Sequence, residues 1–120
     1  MIGLAPAASA TESAVDKTNV KVHAKLDKNQ VKVGEKVKLK GSLEIDAPAR
    51  SGSDGLELLL VQKLQAGVWV NIADTSCRPN GNYSLNLSFS VSAQLSLRVY
   101  YPGTSIYAAA SSEVFGLVVL

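Results

Sequence analysis

The sequence contains very few of the side chains on which metal-dependent and nucleophilic chemistry rely. Its 120 residues include a single histidine, a single cysteine and a single tryptophan. One histidine and one cysteine are too few for a zinc site, and no sequence feature indicates that His23 and Cys77 meet as a catalytic pair. The glycine-rich signature of a phosphate-binding loop is missing as well. We therefore predict a non-enzymatic protein with no metal site and no cofactor.

Long apolar runs and helical periodicity are also missing. A membrane-spanning helix needs about 20 consecutive apolar residues, and no stretch approaches that length, so no transmembrane segment is expected. A chain of 120 residues forms one domain with one core. Because there is one cysteine, an internal disulfide is excluded.

Residues 1–18 differ in composition from the rest of the chain. They begin with apolar and small residues, pass through Ala8-Ser9-Ala10 and become polar at Thr11. The small-x-small pattern fits a signal-peptidase site, so this segment is interpreted as a signal-peptide remnant, with a flexible leader as the alternative. The first option predicts a secreted or cell-surface protein. Cys77 then packs in the core, stays a free thiol or forms an intermolecular disulfide.

From Asn19 onward, apolar and polar side chains alternate with a period of two, which predicts β-strands. Turn signals separate about seven such segments, at spacings of roughly 8 to 12 residues. Asn80-Gly81 predicts a type I′ hairpin turn, and Gly34 and Gly41 fit bulge or bend positions. This organisation favours an antiparallel β-sandwich over a closed barrel, which is the alternative.

Three motifs in chain order resemble those of the immunoglobulin-like modules of bacterial and archaeal secreted and cell-surface proteins. The first falls on Val31, Gly34, Glu35, Val37, Leu39 and Gly41. The second falls on Trp69, Cys77, Asn80, Gly81 and Tyr83. The third falls on Arg98, Val99, Tyr101, Gly103, Tyr107 and Ser112. The resemblance covers residues 19–120 and implies an all-β, antiparallel immunoglobulin-like β-sandwich of about seven strands.

The third motif is expected to mark a corner of the fold rather than an aromatic binding loop. Tyr101 should face the core and Tyr107 should pack over the end of the sandwich, so Tyr100 is the one exposed aromatic residue of the segment. The chain departs from the pattern at Thr104, where relatives often have Asp. A cation at that corner is therefore not expected here.

Basic residues are concentrated in the first part of the domain. Residues 17–40 contain eight Lys against Asp27 and Glu35, whereas residues 41–120 contain four basic and six acidic side chains. The predicted outward residues of the first two long strands are Lys21, His23, Lys25, Lys36, Lys38 and Lys40. If the two strands are neighbours, these side chains form one patch that attracts a polyanion. The alternative is a solvated face whose lysines deter edge-to-edge aggregation.

The leading functional hypothesis is a binding or adhesion module for an anionic cell-envelope polymer, a glycan or a protein partner. Nucleic acid is not expected, because the basic patch lacks arginine and interleaved aromatic residues. A second interface candidate is the apolar outer side of Leu56, Leu58, Leu60 and Leu64 with Trp69. The remaining alternatives are self-association through the final strand, expected at a sheet edge, or through a Cys77 bridge, with a monomer or weak homodimer expected, and an inhibitor or toxin-like effector that uses loops 46–55 and 102–110. A calcium site at Asp46, Asp54 and Glu57 is a minor alternative to ordinary turn bonding.

Overall fold

The computed structural model describes residues 17–46 and 55–120, and these residues form strands joined by turns. The nine strands are β1 (Val20–Leu26), β2 (Gln30–Val31), β3 (Val37–Ile45), β4 (Glu57–Gln65), β5 (Val68–Cys77), β6 (Asn82–Leu87), β7 (Ala93–Tyr101), β8 (Ala110–Ser111) and β9 (Phe115–Val119). Within these ranges there is no helix, and so none with the length and apolar character to span a membrane.

The strands form two sheets that pack face to face. The smaller sheet has the order β1-β3-β6, and the larger has the order β2-β9-β7-β4-β5, with the short β8 pairing β7. All pairings are antiparallel except the one between β2 and β9. The longer strands have the order A-B-E in one sheet and G-F-C-C′ in the other, as in immunoglobulin-like sandwiches. The predicted sandwich is confirmed; the two strands beyond the predicted seven are the two-residue β2 and β8.

The core lies between the sheets and follows the predicted alternation. Val37, Leu39, Leu43 and Ile45 of β3 point inward, and the lysines between them point out. From the larger sheet, Leu59, Val61, Leu97, Val99 and Leu117 meet them, and all five are at most 1% exposed. The alternation of apolar residues continues past the end of one strand: β6 ends at Leu87, and Val91, which continues the alternation, is 70% exposed.

Tyr83 ties the three strands of the smaller sheet together. Its side chain crosses Gly41 of the middle strand, and its hydroxyl donates a 2.6 Å hydrogen bond to the backbone oxygen of His23 in β1. A Cβ atom on residue 41 would overlap both the His23 oxygen and the Tyr83 hydroxyl. Gly41 is therefore neither a bulge nor a bend: β3 runs through it in regular register, and glycine is needed for the close approach of the ring.

The segment with three tyrosines is a fold corner, as predicted. Tyr101 is 1% exposed, and Tyr107 is buried and bridges Thr18 beside the start of β1. The Thr104 hydroxyl accepts hydrogen bonds from the backbone N–H groups of Ile106 and Tyr107, both at 3.1 Å. The threonine thus caps the turn with its own oxygen.

The turn after β5 differs from the prediction. Asn80 has φ of 60°, but Gly81 is not in the left-handed region, and the Gly81 N–H donates to the Arg78 oxygen at 2.8 Å. This is a type II turn, because the fixed φ of Pro79 suits its second position and Asn80 takes its third. It is also not a hairpin, since β5 belongs to the larger sheet and β6 to the smaller one.

The two-residue hairpin turn with two positive φ angles lies instead between β4 and β5. Ala66 has φ of 52° and Gly67 has φ of 80°, and Gln65 pairs with Val68 on either side. Such a turn matches the twist of the flanking strands, which is why it forms even though alanine is unfavourable at positive φ.

The first prediction concerns the Tyr83 crossing. Gly41→Ala should lower the free energy of unfolding by more than about 2 kcal/mol, because the new methyl group overlaps backbone as well as the tyrosine. Tyr83→Phe should cost only about 1 kcal/mol, because it removes a single hydrogen bond. Urea unfolding of both variants measures the difference. Equal effects would contradict the assigned role of the glycine.

The second prediction concerns the turn between β4 and β5. Ala66→Gly should raise the free energy of unfolding by about 1 kcal/mol, because it relieves the cost of a Cβ atom in the left-handed region. Gly67→Ala is the matched reverse change and should destabilise the protein by a similar amount. Thermal unfolding of the two variants checks the sign of each effect; destabilisation by Ala66→Gly would show that the turn is of another type.

Candidate functional site

The first two long strands are neighbours, as the basic-patch hypothesis requires. In the pairing of β1 with β3, Lys25 lies directly opposite Lys40, and Lys38 precedes Lys40 by two residues on the same outward side. All three side chains are exposed. We call these three residues the lysine face. Like charges directly opposite each other in a sheet are unfavourable, so the pairing of Lys25 with Lys40 is kept at a cost in stability.

The third strand of the smaller sheet adds polar, uncharged groups to this surface. Ser84 pairs with Lys40, and Asn86 pairs with Lys38. A shallow hollow beside the lysines is lined by Lys25, Lys40, Gly41, Ser42, Asn82, Tyr83 and Ser84. It presents hydroxyl and amide groups next to two ammonium groups, which are the donors that an anionic, oxygen-rich ligand requires.

The other end of the predicted patch is neutralised. Lys21 lies opposite Glu44, and the Nε2 atom of His23 is 2.9 Å from Oε1 of Glu44. The hydrogen bond from His23 lowers the pKa of Glu44, and the charge of Lys21 lowers it further. Glu44 therefore stays ionised, bonded to His23 and opposite Lys21. The six predicted residues do not form one uniform patch, and Lys36 lies one residue before β3.

Asp27 lies next to the lysine face, directly after the end of β1. Its Oδ1 atom accepts a 2.9 Å hydrogen bond from the Lys38 backbone N–H, and its own N–H donates to the Lys38 oxygen at 3.0 Å. Its role is thus to join the end of β1 to β3. Beyond it, Lys28 forms an exposed 2.8 Å ion pair with Glu35, whose pKa is lowered mainly by the hydrogen bond from Lys28.

Tyr100, the remaining predicted binding residue, lies on the opposite side of the molecule from the lysine face. It belongs to β7 in the larger sheet, where it is half-buried next to Arg98. The guanidinium carbon of Arg98 is 4.4 Å from the centre of the Trp69 ring and 5.4 Å from that of Tyr100. The structure therefore does not combine Tyr100 with the lysines in one site.

Arg98 is the centre of a hydrogen-bonded group that sequence patterns did not reveal. Its Nε–H donates to the side-chain oxygen of Gln62 at 2.8 Å, and the Gln62 amide donates to Asn71 at 2.9 Å. Gln62 is buried, and these bonds satisfy its side chain. The available signal was Gln62, a polar residue directly after the apolar run 58–61 of β4. Its partners lie on two other strands, which only pairing brings together.

The apolar outer side of β4 is partly exposed. Leu58 is 50% exposed and Leu64 is 42% exposed, while Leu60 and Trp69 are half-buried. The Gln62 group lies between Leu60 and Leu64 and interrupts the apolar row. The row is therefore a second, smaller surface next to the stacked Arg98.

Cys77 is a free cysteine at the end of β5, and it is 4% exposed. Burial raises the pKa of its thiol, and the neighbouring Glu57 raises it further. The Glu57 carboxylate also accepts a 2.7 Å hydrogen bond from the Tyr101 hydroxyl. The predicted intermolecular disulfide stays a prediction; to form it, this end of the sandwich has to open.

Metal-ligating side chains are scattered across the part of the chain that the structure describes. It contains no group of three or more His, Cys, Asp or Glu side chains close enough to hold an ion. Asp54, one of the three residues of the calcium alternative, lies outside the described residues. That alternative is therefore untested.

Comparison with known proteins supports the fold. No family model matches the chain, and no curated protein matches it. Among solved structures, it is similar to the CARDB domain of a Pyrococcus furiosus protein, crystallised in complex with di-metal ions, with a TM-score of 0.50 and 11% sequence identity. The similarity covers 88% of this chain and 90% of that one.

At this identity the similarity concerns the fold alone. The chain is an immunoglobulin-like β-sandwich, as its strand order shows independently.

The third prediction concerns Cys77. Its thiol should react with iodoacetamide far more slowly in the native protein than in denaturant, because burial and a raised pKa keep it protonated and covered. Mass spectrometry of timed samples at mildly alkaline pH measures both rates. Rapid native alkylation, or a disulfide-linked dimer without denaturant, would instead support the bridge.

Proposed function

We propose that this protein is a secreted or cell-surface binding module, without catalytic activity, whose lysine face binds an anionic polymer of the cell envelope. The observation that carries the proposal is the direct cross-strand pairing of Lys25 with Lys40, with Lys38 on the same side. A bound anion attracts both ammonium groups and so offsets the repulsion between them. The motif Ala8-Ser9-Ala10 supports export.

The geometry favours an extended polyanion over a single small anion. Neighbouring positions on the lysine face are about 5 to 7 Å apart along and across the strands, and the surface is open and nearly flat. A polymer with repeated carboxylate or phosphate groups contacts several lysines at once, whereas the surface cannot enclose a small ion. Ser42, Ser84 and Asn82 then hydrogen-bond to its hydroxyl groups or oxygens.

The same surface is a poor match for nucleic acid. Single-stranded nucleic acid is bound by aromatic side chains that stack on bases, together with basic residues. Trp69, Tyr100 and Arg98 lie on the larger sheet, and they stack on one another there. An acidic glycan or a phosphate-containing cell-wall polymer needs no such stacking.

A protein partner is the second candidate, and a different observation favours it. Leu58 and Leu64 leave about half of their side-chain surface in solvent on the outer side of the larger sheet, beside Trp69. Aromatic residues, arginine and exposed leucines together are typical of protein interfaces. Changes on this side should affect a protein partner and leave binding of a polyanion unchanged.

The fourth prediction tests the lysine face. Replacing Lys25, Lys38 and Lys40 together by Gln should weaken binding to polygalacturonate or long-chain polyphosphate by about two orders of magnitude at low salt, since each lysine contributes about 1 kcal/mol near an anionic surface. Isothermal titration at two salt concentrations measures the loss. The binding of the unmodified protein should itself weaken as salt rises.

A variant with equal loss of charge provides the control. Lys17, Lys63 and Arg78 lie before β1, in the larger sheet and in the turn after β5, so their replacement by Gln removes three charges away from the lysine face. This control should bind the polyanion almost as tightly as the unmodified protein does. Neutral dextran should not be bound by the unmodified protein. Equal losses in the two variants would indicate general charge attraction and contradict the proposal. Unchanged binding in both would favour the solvated-face alternative.

A further inference from the structure

Strand β6 forms an edge of the smaller sheet. Among the described residues it pairs only with β3, and the sheet has the order β1-β3-β6. In immunoglobulin constant-type sandwiches a fourth strand follows at this position, giving the order A-B-E-D. The free side of β6 (Asn82–Leu87) therefore lies where another strand fits the architecture.

The register shows which backbone groups of β6 point outward from the sheet. The Leu43 N–H donates to the Gly81 oxygen, and residues in antiparallel pairs alternate between bonded and non-bonded positions. Continued along the register, this pattern directs the N–H and C=O groups of Tyr83, Leu85 and Leu87 to β3. The groups of Asn82, Ser84 and Asn86 point to the free side.

This edge lacks the features that normally keep edge strands from pairing. Natural edges carry lysines, prolines or bulges. The β1 edge has Lys21 and Lys25, and β5 has Asp74 and a register shift where it pairs with β4. Between Arg78 and Arg98, in contrast, the sequence has no charged residue, and β6 has neither proline nor bulge.

We propose that two copies of this chain form a two-fold dimer in which β6 pairs antiparallel with β6 of the second copy. A register centred on Ser84 places Ser84 opposite itself and Asn82 opposite Asn86 of the other copy. In this register Asn82, Ser84 and Asn86, whose backbone groups point to the free side, face each other across the two copies. Their N–H groups then donate to backbone oxygens of the other copy, as antiparallel pairing requires. Leu85, half-buried in one chain, meets Tyr83 of the other copy on the inner side.

The charge distribution is compatible with a second copy as the occupant. The two β3 strands would be three strand spacings apart, or roughly 14 Å at about 4.8 Å per spacing. This exceeds the screening length of about 8 Å at physiological salt, so the two lysine faces repel each other weakly. Because β6 carries no charge and pairs with itself in this register, both copies form the same hydrogen bonds.

The dimer places both lysine faces on the same side of one continuous six-stranded sheet. If the proposed function holds, a long polyanion then contacts both faces at once, and its second contact is intramolecular. The dimer itself does not rest on the proposed function. Monomer–dimer measurements test the dimer, and polyanion binding by the monomer tests the function, so the two failures are distinguishable.

The test, and the fifth prediction, is sedimentation velocity of the full chain over a wide concentration range. The unmodified protein should convert from monomer to dimer as concentration rises. Ser84→Lys should weaken the dimer by about tenfold or more, because it places like charges opposite each other at the two-fold axis. Polyanion binding is measured separately, on the unmodified protein at concentrations where it is a monomer.

Ser76→Lys is the matched control, since it makes the same change on the exposed side of β5, the edge of the larger sheet. It should leave the dimer intact. Hydrogen exchange of the unmodified protein provides a readout independent of variants: the amides of Ser84 and Asn86 should become protected as the dimer forms. A monomer at every concentration, loss of the dimer with Ser76→Lys alone, or exchange at these two amides that does not change with concentration would overturn the proposal.

Discussion

The crossing of Tyr83 over Gly41 ties together the three strands of the smaller sheet, on which the candidate site depends. The tyrosine reaches β1 from β6 across Gly41, so one side chain links all three strands. Burial raises the pKa of Tyr83, which keeps the hydroxyl protonated as a donor at ordinary pH. With the strands held in this register, Lys25 has no position other than opposite Lys40.

The two outer surfaces of the sandwich therefore have different chemistry. The smaller sheet presents lysines among short polar side chains, and among the described residues no carboxylate forms an ion pair with the lysine face. The larger sheet presents Arg98, but Trp69, Tyr100 and Gln62 hold its guanidinium in place. A charge that is already stacked and hydrogen-bonded has less to gain from a ligand than an exposed ammonium group. This contrast is the reason for assigning the proposed polyanion binding to the smaller sheet.

Sequence patterns predicted much of the fold because sheet periodicity is local. The alternation in residues 37–45 correctly separates core from surface, and the role of Tyr101 as a core residue follows from the motif around it. The predicted type I′ hairpin turn at Asn80-Gly81 was wrong, because Pro79 selects a type II geometry. The two-residue hairpin turn forms at Ala66-Gly67 instead. The final strand, expected at an edge, lies between β7 and β2, since the two-residue β2 pairs alongside it.

The sequence by itself determined the strand class, the inward and outward residues of most strands, and the excess of lysine in residues 17–40, since each depends only on neighbours along the chain. The tertiary structure decided which of the predicted patch residues lie next to a carboxylate. Glu44 lies 21 residues from His23 in the chain, yet it pairs with His23 and lies opposite Lys21, two of the six residues of the predicted patch. Only strand register decides such partnerships, because it brings distant residues within hydrogen-bonding distance.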